Sequence, residues 1–164
     1  MAKHFCTNVK ECKRCGKCCI HLREKDVFTE TEDLKIRKNI FLKKGVLYLY
    51  PMERYGLSIT KEEADIMQKE AKKQGIKLEI IPKKILIKEN GEAFAFDFAM
   101  DHEICPFYKD KSCLIYELRP KVCKAFPIIS NLEPAELDNF LNKIKLKNLS
   151  FEEALECARK EFPD

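Results

Sequence analysis

The chain has 164 residues, of which 45% are hydrophobic and 35% are charged, so it is long enough to bury a core and we expect one domain over residues 1–164. Its net charge of +4 and its pI near 8.5 are too small to indicate nucleic acid or an anionic membrane as the partner. No apolar run reaches the length of a membrane span, and residues 1–6 contain no apolar signal-peptide region, so we expect a cytoplasmic protein.

The first predicted element is a helix from Thr29 to Lys44. Thr29 or Thr31 is suited to the N-cap, because a threonine hydroxyl accepts a hydrogen bond from a backbone N–H of the first turn. Acidic residues follow in that turn, and Gly45 marks the end of the helix. The apolar residues of this helix include Leu34, Ile40 and Phe41.

The middle of the chain is predicted to contain a second helix and a β-hairpin. Thr60 and Glu63 form the capping box that begins the helix, and Gly75 ends it. Asn90-Gly91 then predicts a type I′ turn, because both residues tolerate a positive φ. The strand residues on either side of this turn are Ile85, Leu86 and Ile87, then Phe94, Phe96 and Phe98 in alternation.

Two closing helices are predicted near the end of the chain. One runs from Pro134 to Lys147, and the other begins at a capping box formed by Ser150 and Glu153. The elements together predict an α+β fold, in which a small antiparallel sheet is surrounded by helices and tied together by a cysteine metal site.

The nine cysteines are the most informative feature of the sequence. Cytoplasmic thiols are kept reduced and the count is odd, so metal ligands are favoured over a disulfide framework. Two residues separate Cys12 from Cys15, which lets both thiolates face one ion, and Gly16 permits the tight backbone of a metal knuckle. The first cluster of candidate ligands consists of Cys12, Cys15, Cys18 and Cys19.

A second group of candidate ligands comes about ninety residues later in the chain, at Cys105, Cys113 and Cys123. We predict that these cysteines share one locality with the first cluster, so that a metal joins distant parts of the chain. Cys157 is an eighth candidate ligand, although it borders the apolar stripe of its helix and could equally be a bystander at the helix edge. Cys6 is interpreted as an ordinary buried cysteine.

Basic residues surround both cysteine groups, and cations lower the pKa of thiols and stabilise an anionic site. The candidate residues for such support of the cofactor are Lys13, Arg14, Lys17 and Arg119. The alternative is that they form a solvated surface. The three histidines, His4, His21 and His102, are interpreted as ordinary residues, and His102 lies nearest in sequence to a candidate ligand.

The metal is either an iron–sulfur cluster or zinc. Three thiolates at two-residue spacing, followed by a remote Cys105-Pro106, form a plausible ligand set for a four-iron cluster and favour iron–sulfur slightly. The Cys15-Gly16 pair is equally typical of a zinc knuckle, and thiolates bind both metals.

The cysteine motifs resemble the YkgJ-like cysteine-cluster family, the CxxCxxCC domains that are proposed to chelate zinc or iron. The resemblance covers roughly residues 10–130, and its motifs are CKRCGKCC at 12–19, CPF at 105–107, CLIYELRP at 113–120 and CKAFP at 123–127. It implies metal chelation by these cysteines and a domain that stands alone, without a settled reaction.

Three functions are consistent with the sequence. The first is a metal-binding accessory or redox protein that acts through a protein partner, with neither membrane nor nucleic acid as its target. The second is an enzyme whose metal keeps an open coordination position. The third is a structural zinc module for protein or nucleic-acid contact. No catalytic triad, phosphate-binding loop or clear carboxylate pair is present in the sequence, so the first is favoured.

Overall fold

The computed structural model of the protein describes residues 28–54, 58–125 and 141–163. They fall into two compact units. The first unit contains residues 53–54, 58–81 and 98–125, and the second contains residues 28–52, 82–97 and 141–163. The expectation of a single domain stays a prediction. No helix in the described part of the chain is long and apolar enough to cross a membrane.

Four helices have both ends within the described residues. They are α1 (Glu30–Lys44), α2 (Lys61–Gln74), α3 (Lys121–Ala125) and α4 (Phe151–Glu161). The strands are β1 (Ser58–Ile59), β2 (Ile80–Ile87), β3 (Ala93–Met100), β4 (Tyr108–Lys109) and β5 (Ser112–Cys113). Short 3₁₀ turns occupy Met52–Arg54 and Tyr116–Leu118. The α+β class is confirmed.

The strands form two small sheets. The larger has the order β1-β3-β2, and β1 pairs antiparallel to β3 with Ser58 opposite Ala99 and Ile59 opposite Phe98. The smaller is the β4–β5 hairpin. Strands β2 and β3 contribute residues to both units, since residues 80–81 and 98–100 lie in the first and the remainder in the second.

The predicted β2–β3 hairpin is confirmed, but the predicted turn type is wrong. Gly91 has a φ of +89°, whereas Asn90 is not among the described residues with a positive φ. The Gly91 N–H donates to the Lys88 carbonyl, and the Lys88 N–H donates to the Glu92 carbonyl. This is a three-residue loop, in which a turn of ordinary φ is followed by one left-handed glycine, and Asn-Gly suits it as well as the type I′ turn.

The capping boxes place the helices where the sequence predicts them. The Thr29 hydroxyl accepts a hydrogen bond from the backbone N–H of Glu32, so Thr29 rather than Thr31 is the N-cap of α1. Helix α2 begins at the Thr60 box, and α4 begins at the Ser150 box. Each box satisfies N–H groups that have no partner inside the helix.

The predicted helix from Pro134 to Lys147 lies partly outside the described residues. Within the described part, the helix ends at residue 142 and an extended segment follows. Lys145 accepts a hydrogen bond from the Glu89 N–H, and the Lys147 N–H donates to the Ile87 carbonyl. The predicted C-terminal end is therefore wrong, because the backbone of residues 145–147 pairs with the end of β2 instead of continuing the helix.

Each unit buries its own apolar residues. The core of the first unit consists of Ile59, Ala64, Met67, Ala71, Leu78, Met100, Cys105, Phe107 and Ile115. In the second unit the buried residues include Val46, Leu47, Ile85, Leu86, Phe151 and Ala154. The ring of Phe41 on α1 packs edge-on against Phe151 on α4.

Helix α1 also buries a charged pair. The residues of this helix that are buried are Asp33 and Arg37, whereas Leu34 is 45% exposed. Arg37 Nε donates to the Asp33 carboxylate at 2.8 Å, and the Met52 N–H donates to the same carboxylate at 2.7 Å. Arg37 also donates to the Tyr48 carbonyl at 3.1 Å. The pair is therefore hydrogen-bonded to the backbone of residues 48 and 52, which follow α1 in the chain.

Candidate metal centre

Cys105 is held by the short segment that connects β3 to β4. It is buried in the core of the first unit, and its carbonyl accepts a hydrogen bond from the Tyr108 N–H at 3.0 Å. Phe107, two residues later, is completely buried. Burying a phenylalanine contributes on the order of 2 kcal/mol, so the apolar residue beside Cys105 helps to fix the backbone on which the thiol is carried.

The β4–β5 hairpin brings Cys113 back toward the same segment. Cys113 is the cross-strand partner of Tyr108, and the Leu114 N–H donates to the Phe107 carbonyl at 2.8 Å. The turn between the strands uses Asp110 and Lys111 with φ values of 51° and 59°. Half-buried Cys113 packs against the core cluster to which Cys105 belongs.

Cys123 lies on α3, next to Val122, which packs against the same cluster. The Cys123 N–H donates to the Pro120 carbonyl at 3.0 Å. The start of α3 is attached to α2 through Glu63, whose carboxylate accepts from the Thr60 N–H with one oxygen and from the Lys121 N–H at 2.6 Å with the other. The sequence predicted only the first of these two roles for Glu63.

Cys105 therefore belongs to one core cluster, Cys113 packs against that cluster, and Cys123 follows a residue that does so. Across the described ranges 28–54, 58–125 and 141–163, however, no three histidine, cysteine, aspartate or glutamate side chains form a group that could hold a metal ion. The first cluster, with Cys12, Cys15, Cys18 and Cys19, lies outside the described residues, as do Cys6, Lys13, Arg14 and Lys17. That the two cysteine groups share a locality stays a prediction.

Cys157 lies in the second unit, on α4. Its Sγ donates a hydrogen bond to the Gly91 carbonyl in the β2–β3 turn at 3.2 Å. Ala154 and Ala158 on the same helix are buried, and Cys157 is half-buried beside them. The structure thus places this thiol at the helix edge, against the left-handed glycine of the hairpin.

Arg119 follows the 3₁₀ turn Tyr116–Leu118 in the first unit. Its Nε donates to the Tyr116 carbonyl at 2.8 Å, and its guanidinium carbon lies 3.8 Å from the centre of the Tyr116 ring. The side chain is half-buried. Tyr116 was not singled out in the sequence, although the three-residue spacing could have indicated it, since residues i and i+3 of a 3₁₀ turn lie above one another.

His102 has a structural partner. Its Nε2 accepts a hydrogen bond from the Glu79 N–H at 2.9 Å, and the Asp101 N–H donates to the Glu79 carbonyl at 2.8 Å. An Nε2 atom that accepts a backbone hydrogen bond does not at the same time bind a metal. The interpretation of His102 as an ordinary histidine is consistent with this contact of Nε2 and stays a prediction.

The donor set fits a thiophilic metal. The described candidate ligands Cys105, Cys113 and Cys123 each supply a sulfur donor. Thiolate sites bind zinc, iron–sulfur clusters and copper(I) in preference to hard cations such as magnesium. Cys105 is buried, and Cys113 and Cys123 are half-buried.

The model of the CxxCxxCC family, described as "Putative zinc- or iron-chelating domain", matches residues 11–149. The chain belongs to this family, because the match covers most of its length. The described property of the family is chelation of zinc or iron, and the match includes both groups of candidate ligands. No curated protein and no solved structure matches the chain.

Proposed function

We propose that the protein binds an iron–sulfur cluster or zinc through cysteines of both groups, and that it acts as an accessory or redox protein through a protein partner. The proposed ligands are Cys12, Cys15, Cys18 and Cys105 for a first metal centre, and Cys19, Cys113 and Cys123 for a second. The observation that carries the proposal is the placement of Cys105 and Cys113 on either side of one hairpin, against a single core cluster.

The hairpin gives these two thiols a fixed backbone. Tyr108 donates its N–H to the Cys105 carbonyl and is itself the cross-strand partner of Cys113. Ligands on a rigid scaffold lose little conformational entropy when they coordinate. The polar turn at Asp110 and Lys111 leaves the opposite end of the hairpin in solvent.

We favour an iron–sulfur cluster over zinc. The three cysteines at two-residue spacing resemble the start of a ferredoxin ligand run, whose final ligand precedes a proline, as Cys105 does here. A bound cluster would supply one-electron transfer, for which the chain itself contributes thiolate ligands and the burial of Cys105. Closed zinc sites more often use two separate ligand pairs.

Cys157 stands outside the proposed ligand set. Its thiol already donates to the Gly91 carbonyl at 3.2 Å. Replacing it should therefore leave metal binding intact.

The test is a comparison of metal content after anaerobic purification. Cys113→Ser should lower the metal bound per chain, because it replaces a proposed thiolate ligand of the second centre with a hydroxyl. The matched control is Cys157→Ser, which alters another half-buried cysteine and should keep the wild-type metal content. Far-UV circular dichroism verifies that both variants are folded.

Three results would count against the proposal. The first is a wild-type protein without zinc or iron, and the second is a Cys113→Ser variant with unchanged metal content and spectrum. The third is loss of metal from folded Cys157→Ser, which would return Cys157 to the ligand set. A brown protein with charge-transfer absorption that bleaches on reduction would support the iron–sulfur form, and a colourless protein with stoichiometric zinc would support the alternative.

A further inference from the structure

The guanidinium of Arg119 is held in one orientation by a single residue, Tyr116. Its Nε donates to the Tyr116 carbonyl at 2.8 Å, and its carbon lies 3.8 Å from the centre of the tyrosine ring. The close contact with the ring and the hydrogen bond together restrict the orientation of the guanidinium. Arginine usually loses much rotamer freedom on binding a ligand, and here a large part of that loss has already occurred.

Most of the N–H donors of Arg119 have no acceptor in the described part of the chain. A guanidinium has five N–H donors, four of which are on the two Nη atoms. Among the residues that the structure describes, neither Nη atom has an acceptor, and Glu117 forms no ion pair with Arg119. Two Nη atoms in a fixed plane match the two oxygens of a carboxylate.

Two leucines that lie close to Arg119 in sequence are exposed. Leu114 is 39% exposed and Leu118 is 45% exposed. Tyrosine and arginine are among the residues enriched at protein-binding hot spots. Exposed Lys121 is a further nearby cation, so the local charge favours an acidic ligand.

We propose that the Arg119 surface, formed by Leu114, Tyr116, Leu118 and Arg119, binds a protein segment that presents an aspartate or glutamate between apolar side chains. The carboxylate would accept hydrogen bonds from the Nη atoms of Arg119, and the apolar neighbours would cover the two leucines. The inference rests on the proposed function in one respect, because it describes how the protein partner is recognised.

A nucleic acid fits this surface less well. Single-stranded nucleic acids stack their bases on aromatic faces, but one face of Tyr116 is covered by Arg119 itself. Phosphate-binding surfaces also gather several cations, whereas the exposed residues proposed for this surface include Leu114 and Leu118. An acidic peptide uses both the cation and the leucines.

The experiment is selection from a random peptide library displayed on phage against the full-length, anaerobically purified protein, with and without its metal. Enriched peptides are synthesised and titrated by calorimetry into the wild type, Arg119→Gln, Arg119→Lys and a control, Lys69→Gln. Lys69 is an exposed cation on α2 of the same unit, so its replacement changes the net charge equally.

We expect the enriched peptides to carry Asp or Glu next to apolar residues. Arg119→Gln should weaken their binding at least ~10-fold, as at an interface hot spot, and Arg119→Lys should recover only part of it because lysine lacks the planar pair of donors. Lys69→Gln should change the affinity less than about 2-fold, as expected for a charge outside the interface.

The proposal is overturned if acidic peptides are not enriched, or if Arg119→Gln and Lys69→Gln weaken binding equally. Loss of metal from folded Arg119→Gln would overturn it as well, since Arg119 would then support the cysteine site rather than a partner. If the wild type contained no metal but still selected acidic peptides through Arg119, the metal proposal would fail and the Arg119 surface would stand.

Discussion

Replacing Asp33 by alanine removes the acceptor at the centre of a buried polar cluster in the second unit. Its carboxylate accepts hydrogen bonds from Arg37 Nε at 2.8 Å and from the Met52 N–H at 2.7 Å. Without it, a guanidinium and a backbone N–H stay buried with one acceptor fewer. Arg37 would keep its hydrogen bond to the Tyr48 carbonyl, which does not neutralise its charge.

The expected cost follows from burial. The side chains of Asp33 and Arg37 are only 8% and 9% exposed, and removing one partner of a buried ion pair destabilises a protein by about 3–5 kcal/mol. The chain contains a matched control, because Lys61 and Asp65 have the same i,i+4 spacing and the same 2.8 Å separation with side chains more than 60% exposed. Such exposed helix pairs contribute only about 0.3–0.5 kcal/mol.

Urea unfolding, followed by circular dichroism at constant metal content, measures the free energies of unfolding of the wild type, Asp33→Ala and Asp65→Ala. We expect Asp33→Ala to cost several times more than Asp65→Ala. Adding Arg37→Met to Asp33→Ala should recover part of the loss, because the unpaired charge is gone. A cost below about 1 kcal/mol for Asp33→Ala, or a double variant less stable than the single one, would refute the reasoning.

Three further predictions concern acid, glycine and metal. Hydrogen bonds from the backbone and side chain of Ser150 lower the pKa of Glu153 below its ordinary value of 4.5. The ionised Glu153 should therefore stabilise the cap of α4 above pH 4.5, and this stabilisation should be lost as the pH falls through the lowered pKa. Glu153→Gln should therefore reduce the fall in melting temperature between about pH 7 and about pH 3, and an unchanged profile would contradict this. Gly45 and Gly75 have nearly equal positive φ values of 71° and 68°, but an added Cβ would collide with Leu146 at Gly45 and would meet no neighbour at Gly75. Gly45→Ala should therefore lower the melting temperature more than Gly75→Ala. Equal effects of the two substitutions would contradict this packing. Chelation should lower the melting temperature of the metal-bound protein, because metal binding free energy becomes folding free energy, and an unchanged melting curve after proven metal loss would exclude that coupling.

Local sequence signals predicted the elements that depend on neighbouring residues. The boxes at Thr60 and Ser150 fix helix starts because cap and acceptor lie three residues apart. The Asp33–Arg37 pair could not be predicted in this way. Its burial depends on the Met52 N–H and the Tyr48 carbonyl, which reach α1 only through the folded chain, and the same packing leaves Leu34 exposed.

The candidate site was likewise predictable only where a local sequence signal exists. The spacing of the motifs selected Cys105, Cys113 and Cys123, and all three fall in one unit. The β4–β5 turn was missed because it has no glycine, although aspartate adopts a positive φ more readily than most residues. The contact of Cys157 with Gly91 joins residues 66 positions apart and carries no local signal.

X-ray absorption at the metal edge of anaerobically purified protein tests the central claim most directly. If cysteine thiolates of both groups hold the metal, its inner shell should consist of sulfur at about 2.3 Å, and Cys113→Ser should reduce or lose that signal while Cys157→Ser keeps it. An inner shell of nitrogen or oxygen at about 2.0–2.1 Å, or a sulfur shell unaffected in Cys113→Ser, would contradict the account.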